Sequence, residues 1–166
     1  TETAVTALHS SPRGVLRVSC PPSFGTEVLT RIIAAFARDN SGIRIELGLQ
    51  DIEPDVIASR LALMFRIGAL KDSSLVSKQV GSAPYMLCAA PSFVAANGRP
   101  LTVQALADFN CILDESMDAY ERWSFIADGT LVAQPVSGNF ASPSTAAVIE
   151  AAVAGLGIAY VPRYAV

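Results

Sequence analysis

Three short stretches of this 166-residue chain hold side chains able to grip another molecule without altering it. The first is Pro22-Ser23-Phe24-Gly25, between a strand pattern and a helix pattern. Ser23 offers a hydroxyl, and Gly25, lacking a Cβ, would let the backbone approach a ligand closely. The helix start there exposes unpaired N–H groups and favours an anion, by ~0.3–1 kcal/mol when exposed. Ser23 serves equally well as the cap of its own helix. The second stretch is Arg66-Ile67-Gly68. A guanidinium directly after an apolar run must be paired or face a wet cleft, where it is a two-pronged donor for a carboxylate. A salt bridge to Asp51 or Asp72 is the competing structural reading. The third comprises Asn139, Ser142, Ser144 and Thr145. Helix capping accounts for one hydroxyl, assigned to Ser142 ahead of Pro143, and leaves Ser144 and Thr145 for a ligand.

Bond-making chemistry lacks comparable support. A hydrolytic triad needs a histidine or lysine base beside its nucleophile. His9, the single histidine, sits in a polar leader, and Lys71 and Lys78 lie in a polar connecting stretch. Cys20, Cys88 and Cys111 are odd in number, widely spaced and set among apolar residues. They read as reduced, buried thiols of a cytosolic protein, not as a disulfide framework or a zinc site. Gly155-Leu156-Gly157 lacks the later glycine of a dinucleotide fingerprint and follows a helix instead of opening one. Asp114-Glu115 reads as a solvated loop pair, and Trp123 as core. The expectation is a binding domain, not an enzyme, with no metal and no cofactor.

Composition narrows the classes further. The chain is 51% hydrophobic and 16% charged, which excludes a disordered tail. No apolar run approaches the ~20 residues of a membrane helix. Twelve Lys and Arg against fifteen Asp and Glu leave a net charge of −3. That is the wrong sign for holding a phosphate backbone, so any contact with DNA falls to another part of the molecule.

The elements that must position these residues follow from periodicity. Residues 1–13 read as a polar tether broken before Pro12. A strand is expected at 15–19, then a helix carrying Val28, Leu29, Ile32, Ile33 and Phe36 at steps of three and four, ended by Asp39-Asn40-Ser41-Gly42 with Gly42 as the reversal. Ile43-Arg44-Ile45-Glu46-Leu47 alternates as a strand with one wet face. Pro54 opens a short helix over 55–59, and 61–65 reads as a central strand buried on both faces. This β-α-β-α-β order implies parallel strands under covering helices. Further strands are expected at 75–80, 84–89 and 111–113. A helix at 102–108 would be capped by Thr102 and stapled by Leu101 and Leu106. Strands around 122–125 and 134–136 would flank a tight turn at Asp128-Gly129. Ser142 then caps a helix with Ala146, Ile149, Ala152 and Val153 inward and Gly155 closing it, before a last buried strand at 158–161.

Taken in order, several segments resemble the effector-binding domain of LysR-type transcriptional regulators. They are Ser11-Pro12-Arg13-Gly14-Val15-Leu16-Arg17-Val18-Ser19, Ser23-Phe24-Gly25, Arg66-Ile67-Gly68-Ala69-Leu70 and Asp72-Ser73-Ser74-Leu75-Val76. Leu87-Cys88-Ala89-Ala90-Pro91-Ser92-Phe93, Trp123-Ser124-Phe125 and Ala152-Val153-Ala154-Gly155-Leu156-Gly157-Ile158-Ala159 continue the series. The resemblance implies an α/β, periplasmic-binding-protein-like (type II) fold of two lobes with an effector cleft between them. The first lobe would span 14–78 and the second 79–162, with 163–166 starting the crossover back. Carried over by position, the effector contacts are Pro22, Ser23, Phe24, Gly25, Arg66, Ile67, Gly68, Asn139, Ser142, Ser144 and Thr145. The implied partners are a small-molecule effector, with a carboxylate weakly favoured, and further copies in a homodimer or homotetramer. DNA would be met only through a winged helix-turn-helix outside this chain, in the cytoplasm and away from membranes.

Two departures stand out. Arg60-Leu61-Ala62 replaces the Gly-Phe-Asp common in the family before this strand. The chain also stops at Val166, so the C-terminal part of the first lobe is expected to be missing. A solute-binding protein and a protein–protein assembly module are the alternatives, because one fold serves several functions.

Overall fold

Alternating apolar residues in Gly14-Val15-Leu16-Arg17-Val18 make a strand, and Pro21-Pro22 ends it by removing backbone donors. In the computed structural model, which describes residues 12–51, 60–68, 75–127 and 129–166, this is β1 (Gly14–Cys20). The expected tether over 1–11, the short helix at 55–59 and the residues Lys71, Asp72 and Asp128 lie outside the described residues. The chain divides into two compact units, Thr1–Ser77 and Lys78–Val166.

In the first unit β1 pairs in parallel along its whole length with β2 (Ile43–Leu49), from Gly14 opposite Ile43 to Cys20 opposite Leu49. The connection is helical: α1 (Pro22–Phe24), a π-turn (Gly25–Leu29) and α2 (Thr30–Asp39). Val18, Cys20 and Leu29 are buried, with Leu16, Phe24, Ile33, Leu47 and Phe65 packed against them. Arg17 and Glu46 are register partners and ion-pair at 2.8 Å, with Arg44 reaching the other Glu46 oxygen at 3.3 Å.

Two expectations fail in this unit. The strand at 61–65 shrinks to β3 (Leu63–Met64), an edge of the order β2-β1-β3, and Leu63 is 51% exposed. An apolar run alone cannot separate a central strand from an edge strand that has a neighbour on one side. The helix ends within Asp39-Asn40-Ser41-Gly42 as expected, but its cap is Asn40, whose Nδ2 donates to the Phe36 carbonyl at 2.9 Å, and Gly42 makes no left-handed reversal. Gly42 is needed for another reason: a Cβ there would press on the Pro12 carbonyl oxygen at 2.8 Å.

The second unit is built on a four-stranded sheet of order β4-β9-β5-β8. Its strands are β4 (Tyr85–Cys88), β5 (Cys111–Asp114), β8 (Phe140–Ser142) and β9 (Ile158–Pro162). β5, β8 and β9 run parallel, and β4 is antiparallel to β9. A hairpin of β6 (Arg122–Ala127) and β7 (Thr130–Pro135) turns at Gly129, whose φ of 76° suits glycine. Buried Trp123 stacks on Tyr160, and the Tyr160 hydroxyl donates to the Ser124 carbonyl at 2.7 Å, tying hairpin to sheet. α3 (Pro91–Asn97), a 3-10 turn (Gln104–Asp108) and α4 (Thr145–Val153) complete the unit.

Here too the sequence pattern needs correction. Residues 76–80 form no strand, and Val76 and Val80 are exposed. Thr102 does accept from the Ala105 N–H at 3.2 Å, but Leu101 is 84% exposed, so no staple forms with buried Leu106. In α4 the buried face is Thr145, Val148 and Ala152, while Val153 points to water. The inward face is the one that packs on Ile112, Ala159 and Val161, and the cap is Ser144, not Ser142. Gly155, at φ 82°, closes this helix as expected.

Candidate functional site

Loops after the carboxyl ends of parallel strands form the ligand-binding crevices of open α/β sheets. In the first unit those ends are Cys20 of β1 and Met64 of β3, and both predicted stretches begin there. The Phe65 N–H donates to the Ser19 carbonyl at 2.8 Å, and the Phe24 and Phe65 rings sit 5.9 Å apart. The turn holding Pro22, Ser23 and Phe24 is thereby brought beside the segment leading to Arg66, Ile67 and Gly68. Arg66 donates to the Asp51 carbonyl at 3.5 Å, so the acid named as its structural partner meets it through the backbone. Gly68 has a φ of 110°, a backbone angle that suits glycine.

Gly25 has a different job from the one expected. A Cβ on it would run into the Leu49 side chain and come within 2.8 Å of the Cys20 sulfur. Its bareness lets the helix settle onto β1 and β2. Pro21 occupies the N-cap and has no side-chain donor or acceptor, which leaves Ser23 in the first turn and not at the cap. The π-turn that follows is held by Thr30, whose hydroxyl donates to the Gly25 carbonyl at 2.7 Å. Such turns recur at functional sites.

In the second unit β5 and β8 end side by side, with Asp114 opposite Ser142 and the Glu115 N–H donating to the Ser142 carbonyl at 2.9 Å. Ser142, Ser144 and Thr145 are together at this end. The Ser144 N–H donates to the Ser142 hydroxyl oxygen at 3.1 Å, and the Ala147 N–H to Ser144 Oγ at 3.4 Å. Asn139 stands apart, at the opposite end of β8. Its N–H donates to Asn110 Oδ1 and its Oδ1 accepts from Asn110 Nδ2, both at 3.0 Å. Asn110 also donates to the Leu156 carbonyl at 2.8 Å, so Asn139 belongs to a latch joining the segments that lead into β5, β8 and β9.

Sequence reasoning missed Asp114 and Ser116. Far from solvated, Asp114 is 2% exposed. Its Oδ2 accepts from the Thr145 hydroxyl at 2.8 Å, and its Oδ1 from the Ser116 hydroxyl at 2.6 Å and the Ser116 N–H at 3.1 Å. The available signal was Asp-x-Ser directly after a buried strand, the pattern of a side chain bonding its own backbone two residues on.

The three thiols are free. Burial pushes Cys20 and Cys88 upward and Cys111 up to about 11. Two surface hollows of this unit, of about 150 and 500 Å³, are lined by Leu87 with apolar neighbours such as Phe93 or Phe125. Neither includes the serines of the strand ends. Among the described residues no helix is long and apolar enough to cross a membrane, and no metal-binding cluster is found.

Comparison with known proteins agrees with this geometry. A family model, the LysR substrate binding domain, matches residues 9–166. The chain is similar to the HTH-type transcriptional activator AaeR of Escherichia coli strain K12, at 31% identity over 157 residues, covering 94% of this chain and 50% of that protein. It thus spans about half the length of the curated relatives it matches. CrgA, a LysR-type transcriptional regulator from Neisseria meningitidis, superposes with a TM-score of 0.82 at 22% identity, over 99% of this chain and 55% of that one. The regulatory domain of AphB in Vibrio vulnificus gives 0.78 at 24%, over 91% and 76%. These likenesses show the fold as α/β of the type II periplasmic-binding-protein-like kind.

Proposed function

Because this chain belongs to the LysR substrate-binding domain family, we propose that it is the effector-sensing part of a cytoplasmic, DNA-binding regulator of transcription. DNA is met by a helix-turn-helix outside this chain, as the net charge of −3 favours. Copies associate as a homodimer or homotetramer. The domain binds and does not catalyse: its chemistry is hydroxyls, backbone N–H groups and one guanidinium.

The observation that carries the reading is hydroxyls at strand ends, one serine in the first unit and a group of them in the second. Ser23 lies beside β1 and β3, and Ser142 and Ser144 beside β5 and β8. We assign effector contacts to Pro22, Ser23, Phe24, Arg66, Ile67 and Gly68 in the first unit and to Ser142, Ser144 and Thr145 in the second. Asn139 and Gly25 act in support, through the latch and through packing. A carboxylate on the effector suits Arg66. A thermal-shift screen of small metabolites tests this, since a ligand that binds only the folded state raises its stability. The expected result is a stabilising metabolite whose effect falls in both Ser23→Ala and Ser144→Ala. A stabilising metabolite indifferent to both changes would refute the assignment.

A further inference from the structure

We infer that Asn97-Gly98, at the end of α3, is a deamidation site, held silent by the folded helix end and released whenever the last turn of α3 frays.

Two local demands create this pair. α3 stops at Gly98, whose φ of 77° lies in the left-handed range that side chains resist. The last helical carbonyls need donors, and Asn97 supplies one: its Nδ2 donates to the Phe93 carbonyl at 3.0 Å. Asparagine before glycine is also the pair whose side-chain amide is most open to attack by the next backbone nitrogen, because glycine has no Cβ to shield that nitrogen. Of the four asparagines in the chain, Asn97 alone precedes glycine; Asn40, Asn110 and Asn139 precede Ser41, Cys111 and Phe140. Space at Gly98 is open as well, since a Cβ there would meet nothing within 4 Å.

In the reaction the Gly98 nitrogen gives its proton to solvent and bonds to Cγ of Asn97, while the Cγ–Nδ2 bond breaks and ammonia leaves. The cyclic imide then takes up one water. Breaking the new bond leaves aspartate at position 97; breaking the old peptide bond leaves isoaspartate, with the main chain rerouted through Cβ. Water is the sole co-reactant, and nothing is oxidised or reduced.

In the folded chain both reacting groups are engaged. The Gly98 N–H donates to the Val94 carbonyl at 2.9 Å, and the Asn97 amide is held by the Phe93 carbonyl. Attack therefore needs both bonds open at once, which is a local fraying of the helix end. The product does not restore them. A carboxylate has no hydrogen for the Phe93 carbonyl, and its charge sits at the negative end of the helix. Phe93 is buried in the core that holds Leu106 and Trp123, so each conversion loosens α3 where it meets that core.

The test is peptide mapping by mass spectrometry of the full chain, aged in mildly alkaline buffer with and without guanidinium chloride. In denaturant, Asn97 is expected to convert ahead of Asn40, Asn110 and Asn139. Without denaturant its conversion should slow by about tenfold or more and should follow hydrogen exchange of the Gly98 amide, which reads the same opening. Equal rates at Asn97 in the two conditions, or another asparagine leading in the unfolded chain, would overturn the inference, and neither comparison needs a variant. Asn97→Asp makes one product directly and should melt at a lower temperature than wild type. An unchanged melting temperature would overturn the loosening of α3.

Discussion

Both units carry polar groups just beyond the ends of parallel strands, over different interiors. The second buries two apolar clusters, one around Leu106, Cys111 and Trp123 and another around Ile112, Val148 and Val161. Among its described residues the first buries only Val18, Cys20 and Leu29 in its core, while Val15, Ile32, Phe36, Leu49 and Leu63 are exposed. The polar groups differ as well. The first unit presents a guanidinium and a serine in a first helical turn; the second presents serines backed by a buried carboxylate. Among the described residues, then, the second unit carries the larger buried apolar core.

The sharpest way to break this contrast is to cut into the larger core. Trp123→Ala removes a 1% exposed ring stacked on Tyr160 and should cost about 3–5 kcal/mol in chemical denaturation. Glycine substitutions come next. Gly138→Ala would drive a Cβ into the Cys111 backbone carbonyl and should cost ~1–3 kcal/mol or more. Gly25→Ala presses instead on the Leu49 and Cys20 side chains, which can yield, so its loss of melting temperature should be the smaller of the two. Ser144→Ala removes a cap bond of 3.4 Å and should cost near the low end of ~0.5–2 kcal/mol, while lowering effector affinity more than this stability loss accounts for. Calorimetry on both proteins compares the two effects. Ile32→Ser, at a 60% exposed site, should change the stability of the isolated chain by no more than about 0.5 kcal/mol in the same denaturation assay.

Much of this design was legible in the sequence, and the failures are instructive. Periodicity located the helix through Val28, Leu29 and Ile33 and the strand through Ile43 and Ile45, because those segments bury one face each. It misjudged Leu63 and Val76, because an apolar residue carries no mark of how many neighbours its strand will have. The cap moved from Ser142 to Ser144 because both precede the same helix, and only backbone geometry chooses between them. Asp114 was misread since adjacent acids look solvated until a strand end and two hydroxyls close over one of them. The packing role of Gly25 and the hydrogen-bonding role of Asn139 carry no mark in the sequence and show only once the strands are in place.

Isothermal titration of a metabolite from the thermal-shift screen into wild type, Ser23→Ala and Ser144→Ala tests the central claim most directly. A single binding event whose Kd rises about tenfold or more in each variant, a loss of roughly 1.4 kcal/mol apiece, is the predicted result. The same Kd in all three proteins would contradict it.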